Sequence, residues 1–416
     1  MAIVKPFKGY RPPKNIVEDL ASLPYDVMNS KEAAEMVKGK ETSLLHITKA
    51  EIDLPEGTDV HGDVVYQKAN ENFRMFIEKG WLVEEVEARF YIYAQTMDGR
   101  TQYGIVGGAS IEDYFNGIIK KHELTRPDKE LDRTHIINIT NANVEPVFFA
   151  YRAVDEIDAI VENWTKNNQA DYDFTAEDGF GHHFWTVTDN KINEQIENLF
   201  ATKVPSTYVA DGHHRTAAAA IVGKERRKNN PNHTGNEEYN FFMTVHFPDN
   251  QLKIIDYNRV IKDLNGNSKD QIIEKLKKSF DINEIGEKEY RPNKLHNFAM
   301  YLENKWYSLS AHDDTYDNND PIGVLDVTIL SKKVLEPIFD IKDLRTDTRI
   351  EFVGGIRGLG ELKRRVDNGE VAVAFALYPV SMEQLINIAD TGNIMPPKTT
   401  WFEPKLRSGL VIHTLD

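Results

Sequence analysis

The sequence predicts an α/β (α+β) protein that contains more than one domain. The chain has 416 residues, which is more than a single hydrophobic core usually serves. Short runs of β-branched and aromatic residues alternate with stretches in which apolar residues recur every three or four positions, so strands and helices are mixed along the chain. Hydrophobic residues make up 40% of the sequence and charged residues 28%, which is typical of a globular protein.

Residues 1–80 form the first predicted region, and its main element is a long helix. In the stretch HGDVVYQKANENFRMFIEKGW the apolar residues recur at helical spacing, and Gly80 is expected to end the helix. Upstream, Pro24 marks a turn, and Asn29 or Ser30 is expected to cap a shorter helix.

Residues 81–261 form the second predicted region, which is rich in strands. The runs ARFYIYAQTM and TQYGIVGGASI flank Asp-Gly-Arg, which is the pattern of a β-hairpin. A strand–helix–strand–helix segment near residues 143–203 is interpreted as an insertion. The runs EEYNFFMTVHF and LKIIDYNRVI are predicted to pair with each other through the turn PDNQ.

Residues 262–416 form the third predicted region, a C-terminal α/β domain. It opens with a loop and an amphipathic helix in LNGNSKDQIIEKLKKSF. KLHNFAMYLENKWYSLSAH alternates like a hairpin with Glu-Asn-Lys at its tip. The last part is expected to give helix, strand, helix, loop and strand in turn.

The charge and residue usage exclude several classes of function. The chain has 50 basic and 66 acidic side chains and a formal net charge of −16, which disfavours a nucleic-acid partner. The absence of cysteine excludes disulfides and thiolate chemistry. No apolar run has the length of a membrane span, and the N-terminal residues lack the apolar core of a secretory signal. We therefore expect a cytoplasmic protein without a membrane partner.

The stretch VPSTYVADGHHRTAAAA is the most informative part of the sequence. A strand precedes Asp211, and an alanine-rich helix follows Arg215. A helix N-terminus presents unpaired amide groups, Gly212 allows close approach, and two histidines and an arginine add donors. This combination predicts an anion site, with phosphate as the expected anion and Asp211 as a metal ligand or proton acceptor. The alternative is that Asp211 only caps the helix while the histidines pack.

ADGHHR followed by an alanine-rich helix resembles the signature of the ParB/sulfiredoxin superfamily, and most closely its form in the ParB-like free serine kinases. Two further stretches are similar to segments of these kinases: KKHELTRPDKELDR and GNIMPPKTTWFEP. The layout of LPYDV, HELTRPDKE and LRSGLVIH also resembles a widespread bacterial family of uncharacterised ParB-like proteins. The kinases are shorter, and His213 stands where sulfiredoxins have their cysteine, so sulfiredoxin chemistry is excluded.

The resemblance implies a ParB/sulfiredoxin-like core with N- and C-terminal α/β additions. It implies a phosphotransferase that uses ATP or ADP with Mg²⁺ and a small hydroxylated acceptor such as L-serine, and a homo-oligomer is compatible with it. The implied roles are general base for Glu123, metal ligand or shared base for Asp211, nucleotide binding for Gly212, His213, His214 and Arg215, and substrate binding for Lys398, Thr399 and Thr400. The alternative is a nucleotide-binding regulatory switch of the ParB type, for which CTP is a further nucleotide.

Two weaker candidates, Asp26 and Arg407, remain from the residues themselves. Asp26 in LPYDV is expected to belong to a packing segment, with reach to the anion site as the alternative. Arg407 is considered as an additional charge near that site. Arg215 is treated as a ligand-binding residue whose replacement by alanine leaves the fold intact.

Overall fold

The computed structural model describes the whole chain, Met1–Asp416, and the chain folds into two compact units. Unit 1 comprises Met1–Leu252 and Pro404–Asp416, and unit 2 comprises Lys253–Glu403. This division differs from the boundaries expected after residues 80 and 261. The physical reason is that residues 1–80 share cores and a sheet with the middle region, and that the final segment returns to unit 1 as a strand of that sheet.

Unit 1 begins with short elements and one long helix. Asn29 caps the second helix in a capping box with Glu32, as expected, and the long helix ends two residues before Gly80. The elements are β1 (Val4–Lys5), β2 (Gly9–Arg11), α1 (Val17–Leu20), α2 (Ser30–Met36), α3 (Leu45–Thr48) and α4 (Asp63–Glu78).

The middle of the chain supplies most strands of unit 1. In order they are β3 (Val83–Glu84), β4 (Tyr91–Met97), β5 (Arg100–Ser110), α5 (Ile111–Phe115), β6 (Ile119–Lys120), α6 (Pro127–Thr140), β7 (Ala142–Asn143), β8 (Val147–Tyr151), α7 (Asp155–Asn167), β9 (Tyr172–Thr175), β10 (Gly181–Thr186), α8 (Asn190–Lys203), β11 (Thr207–Asp211), α9 (His213–Asn229) and β12 (Phe241–Pro248).

A mixed nine-stranded sheet forms the centre of unit 1. The strand order is β6-β11-β8-β12-β5-β4-β10-β9, and β1 pairs with β5. The predicted hairpin is present as β4 and β5. The segment near residues 143–203 contributes β8 to the middle of this sheet and β10 next to β4, so its strands are part of the same sheet.

Unit 2 has its own sheet and its own core. Its elements are β13 (Ile254–Ile255), β14 (Tyr257–Ile261), α10 (Lys269–Leu276), β15 (Phe280–Gly286), β16 (Asn297–Leu302), β17 (Lys305–Ala311), α11 (Asp326–Leu330), α12 (Glu336–Phe339), β18 (Ile350–Gly354), α13 (Gly358–Asp367), β19 (Val373–Ala376), α14 (Met382–Asp390) and β20 (Trp401–Phe402). Six strands pair in the order β15-β17-β16-β19-β14-β18, and β13 pairs with β20. The predicted hairpin around Glu-Asn-Lys is β16–β17.

One predicted strand pair is wrong. We expected EEYNFFMTVHF and LKIIDYNRVI to pair with each other, but β12 pairs with β5 and β8 while β14 pairs with β18 and β19. The two strands belong to different units, because the unit boundary falls in the short connection between them.

The last strand of the chain, β21 (Ile412–Thr414), completes a second sheet in unit 1. This sheet has the order β3-β2-β21-β7. The α/β class is therefore confirmed, with mixed sheets and helices in both units. None of the helices combines the length and the apolar character that crossing a bilayer would require.

Helix α9 packs closely against the rest of unit 1, which explains its alanine run. Ala217, Ala218 and Ala220 are buried, and a Cβ on Gly223 would lie 2.3 Å from the carbonyl oxygen of Tyr239. Larger side chains would hold the helix away from its neighbours, so the small residues serve packing as well as helix propensity.

Two helical glycines should therefore respond in opposite ways to replacement by alanine. Gly223→Ala is expected to lower the free energy of unfolding by about 1–3 kcal/mol, because the overpacking outweighs the gain in helix propensity. Gly360→Ala, where the nearest atom to the new Cβ is a flexible glutamate oxygen at 3.7 Å, is the control and should stabilise by roughly 0.5–1 kcal/mol. Denaturant unfolding of both variants measures this, and equal effects would contradict the close packing of α9.

Candidate functional site

The turn between β11 and α9 leaves the N-terminus of α9 open. Gly212 is the N-cap, so the cap residue has no side chain that could accept a hydrogen bond from the first amide groups of the helix. The interpretation that Asp211 only caps the helix is therefore wrong. The free amides and the helix dipole together favour an anion at this end of α9.

Gly212 is required at this turn for two reasons. Its φ of 93° and ψ of 35° lie in the left-handed region, which disfavours other residues. A Cβ at this position would lie 3.1 Å from Nε and 3.2 Å from Cζ of Arg215, because the arginine folds back over the glycine backbone. The turn and the guanidinium group thus form one packed unit.

Asp211 is held ionised at the end of β11. Its Oδ2 accepts a hydrogen bond from Lys405 Nζ at 3.2 Å and lies 4.0 Å from Arg215 Nη2. Burial opposes ionisation, but the charges of Lys405 and Arg215 outweigh it and lower the pKa of Asp211 to about 2. A carboxylate with this pKa is a weak base at neutral pH, so the geometry favours Asp211 as a charge partner or metal ligand over a proton acceptor.

Arg215 is buried, with 6% of its surface exposed. Its Nη1 donates to the carbonyl oxygen of Pro146 at 2.5 Å, while Nε and Nη2 make no hydrogen bond within the protein. Burial opposes the charge, but Asp26, Glu145 and Asp211 outweigh it and raise the pKa of the guanidinium. The arginine therefore supports the local structure, and the expectation that its removal leaves the fold intact loses its basis.

Two neutral histidines lie beside this turn. β6 runs parallel to β11, which brings the residues after β6 to the same sheet edge as Asp211. The rings of His122 and His213 pack edge to face with centroids 4.6 Å apart. Burial lowers the pKa of His122 to about 4. Burial, together with the neighbouring His122, also lowers the pKa of His213 well below its ordinary value. His213 Nε2 is buried without a hydrogen-bond partner.

The segment that carries Glu123 follows the same edge. His122 contacts His213, and the backbone N–H of Arg126 donates to His214 Nδ1 at 3.4 Å. Glu123 lies between these two contacts and is half-buried. The structure thus brings the segment of Glu123 to the N-terminus of α9, and the role of its side chain as a base stays a prediction.

A layer of buried charged residues next to Arg215 was not predicted from the sequence. Glu145 accepts the backbone N–H of Tyr25 at 3.0 Å and lies 3.4 Å from Arg133. Arg133 in turn pairs with Asp132 at 2.6 Å and stacks on the Tyr25 ring at 3.7 Å. The LPYDV segment accordingly packs onto the core at Tyr25. Its Asp26 also adds negative charge to Arg215 and His214, so both interpretations of the segment hold in part.

A small, partly open cavity of about 30 Å³ lies next to this charged layer. Apolar side chains of α3, α6, β8, α9 and β12 form most of its wall. The polar part of its wall consists of Thr48, Arg133, Asn143, Glu145 and Arg215. Arg215 therefore touches both the turn at Gly212 and the cavity.

The remaining candidates from the sequence are three residues of unit 2 and Arg407. Lys398, Thr399 and Thr400 belong to unit 2, where Arg259 Nη2 donates to the Lys398 carbonyl at 2.9 Å and the Thr399 hydroxyl donates to Pro396 at 2.6 Å. Their role in substrate binding stays a prediction. Arg407 pairs with Asp178.

No group of three or more histidine and acidic side chains could hold a metal ion, and the assignment of Mg²⁺ to Asp211 stays a prediction.

A protein-family model matches residues 4–328, and its description is "Protein of unknown function (DUF1015)". The chain belongs to this family. The DUF1015 match covers Glu123 and the turn from Asp211 to Arg215, whereas Lys398 to Thr400 and Lys405 lie outside it. The family description does not name the ParB/sulfiredoxin superfamily, so that resemblance stays a prediction. No curated protein matches the chain.

Several solved structures are similar to this DUF1015 chain. A free serine kinase in complex with AMP has 14% identity and a TM-score of 0.36, covering 74% of this chain and 92% of the kinase. A conserved hypothetical protein from Pyrococcus furiosus has 15% identity and a TM-score of 0.34, covering 74% and 95%. SbnI with a C-terminal truncation, from Staphylococcus aureus, has 10% identity and a TM-score of 0.38, covering 73% and 87%.

Replacing Arg215 should destabilise the protein. Arg215→Ala removes a buried charge that faces Glu145 and Asp211, and breaking such a set typically costs about 3–5 kcal/mol. Lys228→Ala removes a positive charge from the exposed end of the same helix and should cost less than about 0.5 kcal/mol. Denaturant unfolding compares the two variants, and equal stability would contradict the structural role of Arg215.

The buried histidines predict a pH dependence of stability. The pKa of His122 is lower in the folded than in the unfolded protein, so its contribution is complete above the unfolded value near 6.5 and is lost as the pH falls toward about 4. Each such histidine lowers the unfolding free energy by about 1.4 kcal/mol per pH unit within that window. In the His122→Gln variant the unfolding free energy should therefore fall less steeply with decreasing pH, by about 1.4 kcal/mol per pH unit. Denaturant unfolding at pH 7, 6 and 5 measures this slope.

The exposed His135 on α6, replaced by glutamine in the same way, is the control for that series. A slope unchanged by His122→Gln would show that His122 is not buried in its neutral form.

Proposed function

We propose that the protein binds a nucleotide at the N-terminus of α9 and transfers a phosphoryl group from it to a small hydroxylated acceptor. The observation that carries the proposal is the open helix N-terminus, where uncapped amide groups lie beside Asp211, Lys405 and Arg215. Amide groups, a helix dipole and nearby cations are the elements that bind phosphate in proteins. The resemblance of ADGHHR to the ParB-like serine kinases supports the same assignment.

In this proposal the α9 amide groups bind the phosphates directly. Neutral His213 and His214 supply hydrogen bonds rather than charge, since burial lowers the pKa of both. Lys405 is the cation best placed to neutralise phosphate, because its side chain is already within 3.2 Å of Asp211 at the turn. Arg215 stabilises the turn by packing on Gly212.

Mg²⁺ fits this site as a partner of the nucleotide. Such ions are commonly held by one or two carboxylates together with substrate phosphates and waters, so Asp211 alone can serve as the protein ligand. Lys405 Nζ donates a hydrogen bond to Asp211 Oδ2. If the ion binds to that oxygen, the Lys405 side chain has to shift toward the phosphates. The ion would neutralise charge on the phosphates.

Glu123 is the proposed base of the transfer step. The acceptor hydroxyl gives its proton to Glu123 as its oxygen forms a bond to phosphorus, and the bond from phosphorus to the leaving nucleotide breaks. Asp211, with its low pKa, is the weaker candidate for this role. We assign Lys398, Thr399 and Thr400 to the acceptor's carboxylate or the transferred phosphate, on the resemblance of their loop to that of the kinases.

The decisive experiment compares wild type with Glu123→Gln. Purified protein is incubated with Mg²⁺, with ATP, ADP or CTP in turn, and with a panel of hydroxylated acceptors headed by L-serine, and the products are followed by phosphorus NMR. Glu123→Gln should keep nucleotide affinity and lose about 10²–10⁴ in turnover, because the amide cannot accept the proton.

Glu194→Gln, an exposed glutamate of α8, is the matched control and should keep full activity. Nucleotide binding without phosphorylation of any acceptor would overturn the kinase proposal in favour of the regulatory switch. A change of assembly state with nucleotide, measured by light scattering, would support that second function.

A further inference from the structure

Arg259 of β14 is a buried arginine that has no carboxylate partner. Its side chain is 1% exposed, and its strand lies between β18 and β19 in the sheet of unit 2. Burial lowers the pKa of Arg259 to about 10, and no carboxylate opposes this effect. The guanidinium is therefore still charged at neutral pH. Buried charges are normally paired with an opposite charge, so the role of this arginine has to lie in its other contacts.

Backbone oxygens and an aromatic ring hold the charge of Arg259. Its Nη1 donates to the carbonyl oxygen of Tyr257 in the same strand, and its Nη2 donates to the carbonyl oxygen of Lys398 at 2.9 Å. The guanidinium also lies 5.3 Å from the centroid of the Phe352 ring in β18. Only the bond to Lys398 reaches outside the sheet. Because a charged donor makes the stronger hydrogen bonds, this bond fixes the loop of residues 396–400 to β14.

Lys398 has a backbone conformation that needs such support. Its φ of 58° lies in the left-handed region, where a residue with a side chain stays only if its surroundings hold it. Two hydrogen bonds do so, one from Arg259 to the Lys398 carbonyl and one from the Thr399 hydroxyl to the Pro396 carbonyl at 2.6 Å. The Lys398 side chain is exposed, with Nζ 5.9 Å from the centroid of the Tyr257 ring. Arg259 thus holds the carbonyl inside while the lysine side chain leaves the loop toward solvent.

The residue after this loop is anchored independently of Arg259. Trp401 pairs with Ile255, and its ring packs edge to face on Tyr257 with centroids 4.9 Å apart. A Cβ on Gly354 would lie 3.0 Å from the Trp401 ring, which shows how closely the tryptophan packs on β18. Loss of the arginine should therefore release the centre of the loop and leave its end attached.

We propose that Arg259 is the positioning residue of the acceptor site: by binding the Lys398 carbonyl, it directs Lys398 Nζ toward an anionic group of the acceptor. The inference rests on the proposed function, in which residues 398–400 bind the acceptor. Arg259 and Lys398 are two cations that no acid neutralises, so their combined field attracts a carboxylate or phosphate. Arg259 is too deeply buried to touch the acceptor and acts through the loop.

Hydrogen–deuterium exchange of the full-length protein, without ligands, tests whether Arg259 holds the loop. Arg259→Met removes the charge and the donors, and it should fold because no buried acid is left unpaired. The amides of residues 398–400 should exchange about tenfold faster or more in this variant, since a charge-assisted hydrogen bond is lost. Arg345→Met, at an exposed arginine of unit 2, is the control and should leave these rates unchanged. Unchanged rates in folded Arg259→Met would overturn the inference.

Steady-state kinetics test the consequence for the acceptor, with the panel headed by L-serine. For the acceptor that the wild type phosphorylates best, Arg259→Met should raise KM about tenfold or more and leave KM for the nucleotide unchanged. Arg259→Lys keeps the charge and a donor and should recover part of the acceptor affinity. General damage to the protein would move both KM values together, and that result, or an unchanged KM for the acceptor, would overturn the inference.

Failure of this inference and failure of the proposed function give different results. If the wild type phosphorylates an acceptor and Arg259→Met has the same KM for it, the proposed function stands and the role of Arg259 falls. If the wild type phosphorylates none, the proposed function falls. The exchange rates need no substrate, so in that case they alone decide whether Arg259 positions the loop.

Discussion

The packing of the Arg215 guanidinium over the backbone of Gly212 is the contact on which the site depends. A Cβ at Gly212 would come within 3.1–3.2 Å of the arginine, and the φ of 93° disfavours any other residue, so the turn strongly favours glycine. The left-handed glycine in turn directs the chain from β11 into α9. The helix therefore begins without a side-chain cap, with its amide groups free. The charges of Asp211, Glu145 and Asp26 all act on this one guanidinium, so the turn, the strand end and the N-terminal segment are fixed together.

Burial of so many charges needs an explanation, since isolated charges are costly in a protein interior. In unit 1 the cost is reduced by alternation: Asp132 lies next to Arg133, Arg133 next to Glu145, and Asp211 next to Lys405. His122 and His213 beside the turn are neutral, so they add no further buried charge. Such a set is stable only as a whole, and this rigidity is what a site needs if it is to hold a ligand in one geometry.

The sequence predicted the parts of this structure that depend on local signals. The hairpin at Asp-Gly-Arg, the capping box at Asn29 and the strand–turn–helix at Asp211 are each determined by a few adjacent residues. The pairing of β12 with β14 was wrong because strand partners are chosen by packing over long distances in the chain. Lys405 was missed for the same reason: it meets Asp211 across 194 residues, and nothing near it in the sequence indicates that contact.

The return of the chain to unit 1 after unit 2 has a consequence for biosynthesis. The last strand of the smaller sheet, together with Lys405, leaves the ribosome only after all of Lys253–Glu403 has been made. Until then β2 and β7 lack the strand that lies between them, and Asp211 is buried without its main counter-ion. Domains generally fold as units during translation. Unit 2 can therefore complete its sheet first, while the smaller sheet of unit 1 still has an open edge and Asp211 still lacks Lys405. The proposed phosphate site can form only after the last residues of the chain have been made.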